Sequence, residues 1–275
     1  MVKRIIQISD IHIPNDTKGK PYLDMLKKAL AQIVKTNSDI DRKEMRIVVC
    51  GDVFHNKIKV SNEAKEIFYE FLNYLNSICK TIIFAGNHDM LENNHDRLDS
   101  ISPVFTIKNV YPNVFFADKF LDYKSGYIQD ENIIWALYSM FDNFATPNLT
   151  GLRSEYPDKK IIGLFHGEIV GAVTDTGRMS ESGVDTDGFS ECDAVLAGHI
   201  HKYQTIKKNG VPIVYGGSLF QQNAGENISG HGYVVWDVET MDYHLVEVPN
   251  DYLIYRFKVT DYDDVANDTE KLLNL

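Results

Sequence analysis

Five short apolar, β-branched runs punctuate the chain, at Arg4–Ser9, Met45–Cys50, Thr81–Ala85, Lys160–Phe165 and Asp193–Ala197, and each stops at a cluster of polar residues. Runs of this length and composition read as buried strands. Between the first three, apolar residues recur at helical spacing: Tyr22, Leu23, Leu26, Leu30 and Ile33, then Ala64, Ile67, Phe68, Phe71, Leu72 and Leu75. Pro21 suits the first turn of one helix and Ser61 the N-cap of the other. Strand, helix, strand, helix, strand predicts right-handed crossovers and a parallel sheet, so the first half is α/β. After about Val110 the pattern turns aromatic and β-rich, with segments at Lys119–Ile128, Asn132–Tyr138, Val211–Tyr215, Tyr233–Val238 and Tyr243–Val248. These predict a second, mixed sheet packed on the first. Gly171–Asp187, rich in Gly, Ser, Thr and Asp, predicts a long loop beside a site. Tyr252–Val259 reads as a strand leading into the acidic stretch Thr260–Leu275.

With 275 residues, the chain can bury one full core, or one core plus a small appendage. No apolar run reaches the ~20 residues of a membrane helix, and the apolar stretch behind Lys3 and Arg4 ends at Ile8, so no signal peptide is read. Cys50, Cys79 and Cys192 are odd in number and widely spaced, which predicts reduced thiols and a cytoplasmic location without a membrane. A formal net charge of −11 argues against a broad basic face for gripping nucleic acid. Two bound divalent ions would still make one cleft locally cationic, focusing phosphate there.

The chemistry lies where the strands end: Asp10-Ile-His12, Gly51-Asp52-Val-Phe-His55, Gly86-Asn87-His88-Asp89, His166-Gly-Glu168 and Gly198-His199-Ile-His201. In open α/β sheets ligands bind beyond the carboxyl ends of strands, so these segments can converge on one cleft. In an extended chain residues i and i+2 share a side, which would aim Asp10 with His12, and His199 with His201. Gly51, Gly86 and Gly198 would permit tight turns. Carboxylate, imidazole and amide donors without thiolate suit Mn, Fe or Zn. A lone histidine is more often a core or surface residue, but six of the nine histidines fall in these segments. His95, His231 and His244 lie outside them and are read as surface or packing residues.

In order and spacing these segments resemble the signature of the calcineurin-like metallophosphoesterase superfamily. Gly51-Asp52-Val53-Phe54-His55, with Tyr215-Gly-Gly-Ser218 and Gly225-Glu226, is further similar to the SbcD nuclease family of bacteria and phages, the nuclease half of the SbcC–SbcD double-strand-break complex. The likeness covers about residues 1 to 250. It implies a four-layer α/β/β/α sandwich of two mixed sheets, the fold of that superfamily. It implies two divalent ions, manganese first with iron or zinc also compatible: one held by Asp10, His12, Asp52 and His201, the other by Asp52, Asn87, His166 and His199, with Asp52 bridging. Such ions lower the pKa of bound water and supply a hydroxide nucleophile. His88 would then be the proton donor to the leaving 3′ oxygen, Asp89 its orienting partner, and His55 the residue positioning the phosphate or strand.

DNA is the implied substrate, cut as an exonuclease or endonuclease in repair or recombination. An SbcC-type ATPase is the implied partner. Residues 251–275 fall where the family's DNA-capping domain would begin, so they read as a truncated or vestigial capping segment, and tight ATPase docking by residues 1–275 is not expected. The helix Ala64–Ile78 carries Phe68, Tyr69, Phe71 and Tyr74; core packing and the family's homodimer contact both account for them. Arg178 reads as either a DNA-phosphate contact or a solvated loop residue. The alternatives are a cyclic-nucleotide or other small phosphodiesterase of the same fold, and a non-catalytic scaffold such as retromer's phosphoesterase-fold subunit, which would lack ligands that are present here. A serine/threonine phosphatase would show Gly-Asp-x-Val-Asp-Arg-Gly and Gly-Asn-His-Glu, where this chain has Val53-Phe54-His55 and Asp89.

Overall fold

The computed structural model describes residues 1–15, 19–57, 59–94 and 97–254. The strand that opens the chain, β1 (Arg4–Ile8), runs parallel to β2 (Met45–Cys50), which runs parallel to β3 (Lys80–Phe84) and through it to β4 (Val114–Phe116). Two long helices make the crossovers, α1 (Gly19–Thr36) and α2 (Asn62–Ile78). Ser61 caps α2 as expected, its side chain accepting from the amide of Ala64 at 3.0 Å. Pro21 falls in the first turn of α1. Leu26, Leu30 and Ile33 of α1, and Ile67, Phe68, Phe71 and Leu75 of α2, are buried on the outer face of this sheet.

The second sheet has the order β5-β6-β7-β8-β10-β9, from β5 (Gly126–Asp130), β6 (Ile133–Tyr138), β7 (Lys160–His166), β8 (Ala194–Gly198), β9 (Gln204–Lys208) and β10 (Val211–Tyr215). Its middle strands β6, β7, β8 and β10 are parallel, and β5 and β9 close it antiparallel. Trp135, Leu137, Ile162 and Leu164 face Ile5, Val48, Ile82 and Phe84 of the first sheet across a shared apolar layer. The outer face of the second sheet is covered by loops and one-turn helices carrying Leu149, Leu152 and Phe189. The architecture is thus α/β/β/α with a thin fourth layer.

Three expectations needed correction. Tyr233–Val238 and Tyr243–Val248 form β11 (Gly232–Asp237) and β12 (Tyr243–Glu247), but they extend the first sheet, antiparallel at β1, not the second. Alternation and burial reveal a strand and not its partner. Lys119–Ile128 is not one strand: α3 (Ala117–Phe120) is followed by Asp122 and Tyr123 at positive φ before β5 begins. That turn is imposed by tertiary contacts, since Asp118 is buried and accepts from the amide of Ala85 at 2.9 Å while Lys119 donates to the carbonyl of Ser102 at 3.2 Å. The three-residue β4 and the polar edge strand β9 carried too little apolar signal to be read. Of the strand expected at Tyr252–Val259, residues 252–254 are not in a strand, and the remainder lies outside the described residues, as does His95.

Two buried polar contacts fix how the sheets stack. Gln7 of β1 donates to the carbonyls of Ala197 at 3.1 Å and Val214 at 2.9 Å, and accepts from the Trp236 indole at 3.0 Å. At the opposite end Arg46 of β2 forks onto Asp130 of β5, at 2.6 and 3.1 Å, with Lys80 adding 2.9 Å from its solvent side. Breaking a buried pair from one side leaves the other charge stranded. Arg46 would keep Glu131 at 3.0 Å, so Asp130→Ala is expected to lower stability by about 1–3 kcal/mol in urea unfolding, whereas Lys80→Ala, with its half-exposed side chain, should cost under about 1 kcal/mol. Equal small losses for both would mean that Arg46 is hydrated, and the clamp would no longer explain how the sheets dock.

Candidate metal centre

All five strand-end segments meet at one edge of the sandwich. The backbone reaches it through left-handed kinks: Asp10 (φ 49°), His12 (φ 52°), Asp52 (φ 49°) and His199 (φ 99°) all adopt conformations that side-chain-bearing residues rarely take. The extended-chain alternation expected at Asp10 and His12 therefore does not apply. These residues converge because the kinks turn them, at a cost of order 1–3 kcal/mol each. The kinks are held by hydrogen bonds between segments. The His12 amide donates to the Asp52 carbonyl at 2.9 Å, and the His199 amide donates to both Asp10 oxygens at 3.1 Å. Ser9 Oγ also donates to Asp10.

The glycines divide into two roles. Gly51 takes positive φ (79°) as expected. Gly86 and Gly198 are needed for close approach instead: a Cβ on Gly86 would strike the Asp52 backbone, and one on Gly198 the Cys50 carbonyl.

Asp52 lies between two groups of donors. Its Oδ2 is 3.6 Å from His12 Nε2, which is 3.0 Å from His201 Nε2; His201 Nε2 is 3.9 Å from Asp10 Oδ1. Its Oδ1 is 3.3 Å from His166 Nε2, and Asn87 Oδ1 sits 3.3 Å from that nitrogen and 2.9 Å from His199 Nδ1. Asp10, His12 and His201 form one cluster able to hold a metal ion; Asp52, His166 and His199 form a second. The partition that the resemblance implied adds Asp52 to the first and Asn87 to the second.

The protonation chemistry also suits cations. His166 Nδ1 faces the Cys50 carbonyl at 2.7 Å and His201 Nδ1 faces Glu226 Oε1 at 2.8 Å, so each ring donates outward from Nδ1 and turns Nε2 toward the centre. Burial pulls both rings down, but Asp52 and Asp10 around His166, and Glu226 and Asp10 around His201, outweigh it and push each up to about 9. Burial, reinforced by other rings nearby, holds His12 well below the ordinary imidazole value despite Asp52, and brings His199 down to about 4, with His166 as the next contributor. Burial raises Asp10; it also pushes Asp52 up, but His166 and His12 outweigh it and hold Asp52 below the usual carboxylate range. The carboxylates that push His166 and His201 up keep a proton on each ring, a charge that a bound divalent ion would replace, and the oxygen and nitrogen donors fit the harder first-row divalent ions.

The other expected site residues lie close by in different relations. His88 donates its amide to Asp52 Oδ1 at 2.8 Å, and its Nδ1 is 2.6 Å from the His55 carbonyl. His12, His55 and His88 form a ring cluster with centroids 4.7–6.0 Å apart. Asp89 does not orient His88. Its buried carboxylate accepts from the amides of Gly86 (2.9 Å), Phe54 (3.0 Å) and Val53 (3.2 Å), tying the second and third segments together. Burial, with the charge of Asp52, pushes it up to about 7. Arg178 is exposed at the tip of the 171–187 loop, which is pinned by paired bonds between Val173 and Gln204.

Two contributors escaped the sequence reading. Glu226, known only as part of a resemblance, holds His201 and is itself held by the Gln222 amide at 2.8 Å and Asn223 Nδ2 at 2.6 Å. Asp175, from the long loop, groups with His201 and Glu226. His231 is buried, consistent with packing, yet its Nδ1 is 2.9 Å from Ser218 Oγ, which reaches Glu226 at 3.5 Å. His244 is exposed on β12.

Comparison with known proteins agrees with this arrangement: residues 3–203 match the family model of calcineurin-like phosphoesterases. The chain belongs to that family. A protein of Acanthamoeba polyphaga mimivirus, "Uncharacterized protein R555", is 35% identical over 94% of the chain, which spans only 19% of that protein. "Putative phosphoesterase 244L" of Invertebrate iridescent virus 6 is 28% identical over 69% of the chain and 62% of that protein. Among solved structures, a novel archaeal phosphodiesterase superposes with a TM-score of 0.43 at 13% identity, over 88% of this chain and 98% of that one. That likeness is too loose to bear on substrate. Among the described residues, no helix is long and apolar enough to cross a membrane.

Members of this family work with divalent metals, and the two clusters make separable demands. Calorimetric titration with Mn²⁺ is expected to give two equivalents. Asp52→Asn should weaken both, because both clusters share that carboxylate, whereas Glu226→Gln should weaken one by about 10–100-fold through the His201 ring. Two full equivalents at unchanged affinity in Asp52→Asn would remove Asp52 from both sites.

Proposed function

We propose that the chain is a two-metal DNA phosphodiesterase of the SbcD kind, cutting phosphodiester bonds in DNA end processing, repair or recombination. The observation that carries this reading is the shared Asp52, one oxygen toward each donor cluster, with His88 and His55 beside it. Two ions so placed would clamp one phosphate and supply the nucleophile. The SbcD-like residues have physical roles that favour it. Phe54 packs on Phe68 at 5.0 Å beneath the loop that carries His55, and Ser218 and Glu226 support His201. Manganese is the proposed metal, and the cytoplasm the proposed location, in keeping with three free, buried cysteines. An SbcC-type ATPase and, through the helix Asn62–Ile78, a second copy of this chain are the proposed partners.

A small phosphodiesterase is the second reading, favoured by a cavity of about 660 Å³ that reaches His12 and His55. End-labelled duplex and single-stranded DNA, a cyclic nucleotide and a phosphomonoester, each assayed with Mn²⁺, separate the two. Metal-dependent degradation of end-labelled DNA is expected. Turnover of the cyclic nucleotide alone would transfer the assignment to the second reading.

His88 gives the chemical step its own test. With Nδ1 directed at the His55 carbonyl, Nε2 is the ring nitrogen left to face a leaving oxygen. His88→Asn is expected to keep both metals and DNA affinity while lowering turnover by ~10²–10⁴-fold. The effect should shrink on a nitrophenyl diester, whose leaving group departs as a stable anion. Equal effects on both substrates would argue against acid catalysis, and weakened metal binding would make His88 a ligand, a role open to it because it also groups with His12 and Asp52.

A further inference from the structure

The cavity of about 660 Å³ runs from His12 and His55 along Pro14 and Asn15 to a wall formed by Tyr22, Met25, Phe220 and the segment 252–254. Tyr22 and Phe220 meet edge to face at 5.7 Å, and the Tyr22 hydroxyl is spent on the Ile11 carbonyl, so an apolar aromatic surface remains. In that wall Tyr252, Leu253 and Ile254 are 55%, 41% and 41% exposed, three consecutive large apolar side chains open to solvent. Apart from the two histidines, its described lining carries no charge. A smaller cavity of about 370 Å³, touching Asn87 and His199, is lined by Glu168 and by Glu92, which pairs with Lys57, and offers less aromatic surface.

We infer that the larger cavity is a nucleobase subsite, receiving the base of the nucleotide whose phosphate lies on the metal centre. The inference rests on the phosphodiesterase reading above and names what that site accepts. The volume falls in the range of single-ligand pockets, and aromatic walls without charge suit a planar heterocycle. The amides in the lining also say how the base is read. The Gln221 amide is closed on the backbone of Ile254, donating at 2.8 Å and accepting at 2.8 Å. Asn15 donates to the Lys59 carbonyl and accepts from the Ser61 amide, and Gln222 Nε2 is shared between the carbonyls of Ile11 and Phe220. Among the described lining amides, Asn56 is exposed and open to a base edge. Recognition is therefore of the base's face more than its hydrogen-bonding edge, and the four bases should be accepted almost alike.

The test compares thymidine 5′-(p-nitrophenyl phosphate) and its adenosine counterpart with methyl p-nitrophenyl phosphate, which lacks a base. Wild type and two variants of exposed residues, Tyr252→Ala and Leu253→Asp, are used so that folding is retained. Wild type should prefer both nucleoside esters in kcat/KM, with little difference between the bases. Removing one stacking partner should reduce that preference by about 5–150-fold in Tyr252→Ala, mostly through KM. A wild-type protein that cleaves the methyl ester as well as the nucleoside esters, or variants that keep the full preference, would overturn the subsite while leaving the phosphodiesterase reading intact. Failure to cleave any ester would instead overturn that reading. Saturation-transfer NMR with thymidine monophosphate then decides the subsite independently. Saturation reaching the base protons in wild type and vanishing in Tyr252→Ala supports it; base protons that stay unsaturated in wild type overturn it.

Discussion

The Cys50 carbonyl is the point on which the two halves of the molecule meet. It ends a strand of the first sheet and accepts from His166, which ends a strand of the second, at 2.7 Å. Ser9 Oγ reaches the same oxygen at 3.3 Å, and Gly198 passes so near that no side chain would fit. That bond selects the tautomer of His166, sets the depth at which the second sheet's ligands stand, and requires glycine opposite. Gln7 repeats the connection inside the apolar layer with three satisfied bonds. The position of every donor at the centre follows from where these contacts place one sheet edge against the other.

Much of this was legible in the residues. The three apolar runs and two helical stripes of the first half predicted its parallel sheet, and the polar segments behind five strands predicted a common edge, because strand ends are where an α/β sheet leaves donors uncovered. The assignment of β11 and β12 was not legible, since an apolar or alternating run states that a strand exists and not which strand it pairs with. Nor was α3, a turn held by Asp118 and Lys119 through contacts remote in sequence. The resemblance implied that Asp89 orients His88. The three backbone amides that Asp89 accepts from come from two segments that only the fold brings together. Glu226 and Asp175 lie far from the strand ends, and no spacing rule connects them to His201.

The kinked backbone shows how the site and the fold constrain each other. Four donor-bearing residues sit at positive φ, and bonds between segments hold them there. Strain of this kind persists only where the surroundings over-determine it. It also explains why the segments converge although their donor-bearing residues lack the extended geometry that the sequence reading assumed.

Asp10, His12, Asp52 and Asn87 follow strands of one sheet, while His166, His199 and His201 follow strands of the other. Each cluster therefore draws ligands from both layers, and an ion held in either is a rivet through the sandwich. Part of its binding energy is spent keeping the layers in register, so occupancy and cohesion are thermodynamically linked. Chelation would loosen the docking of the layers as well as silence the chemistry, and the melting temperature of the protein becomes a gauge of the metal available to it.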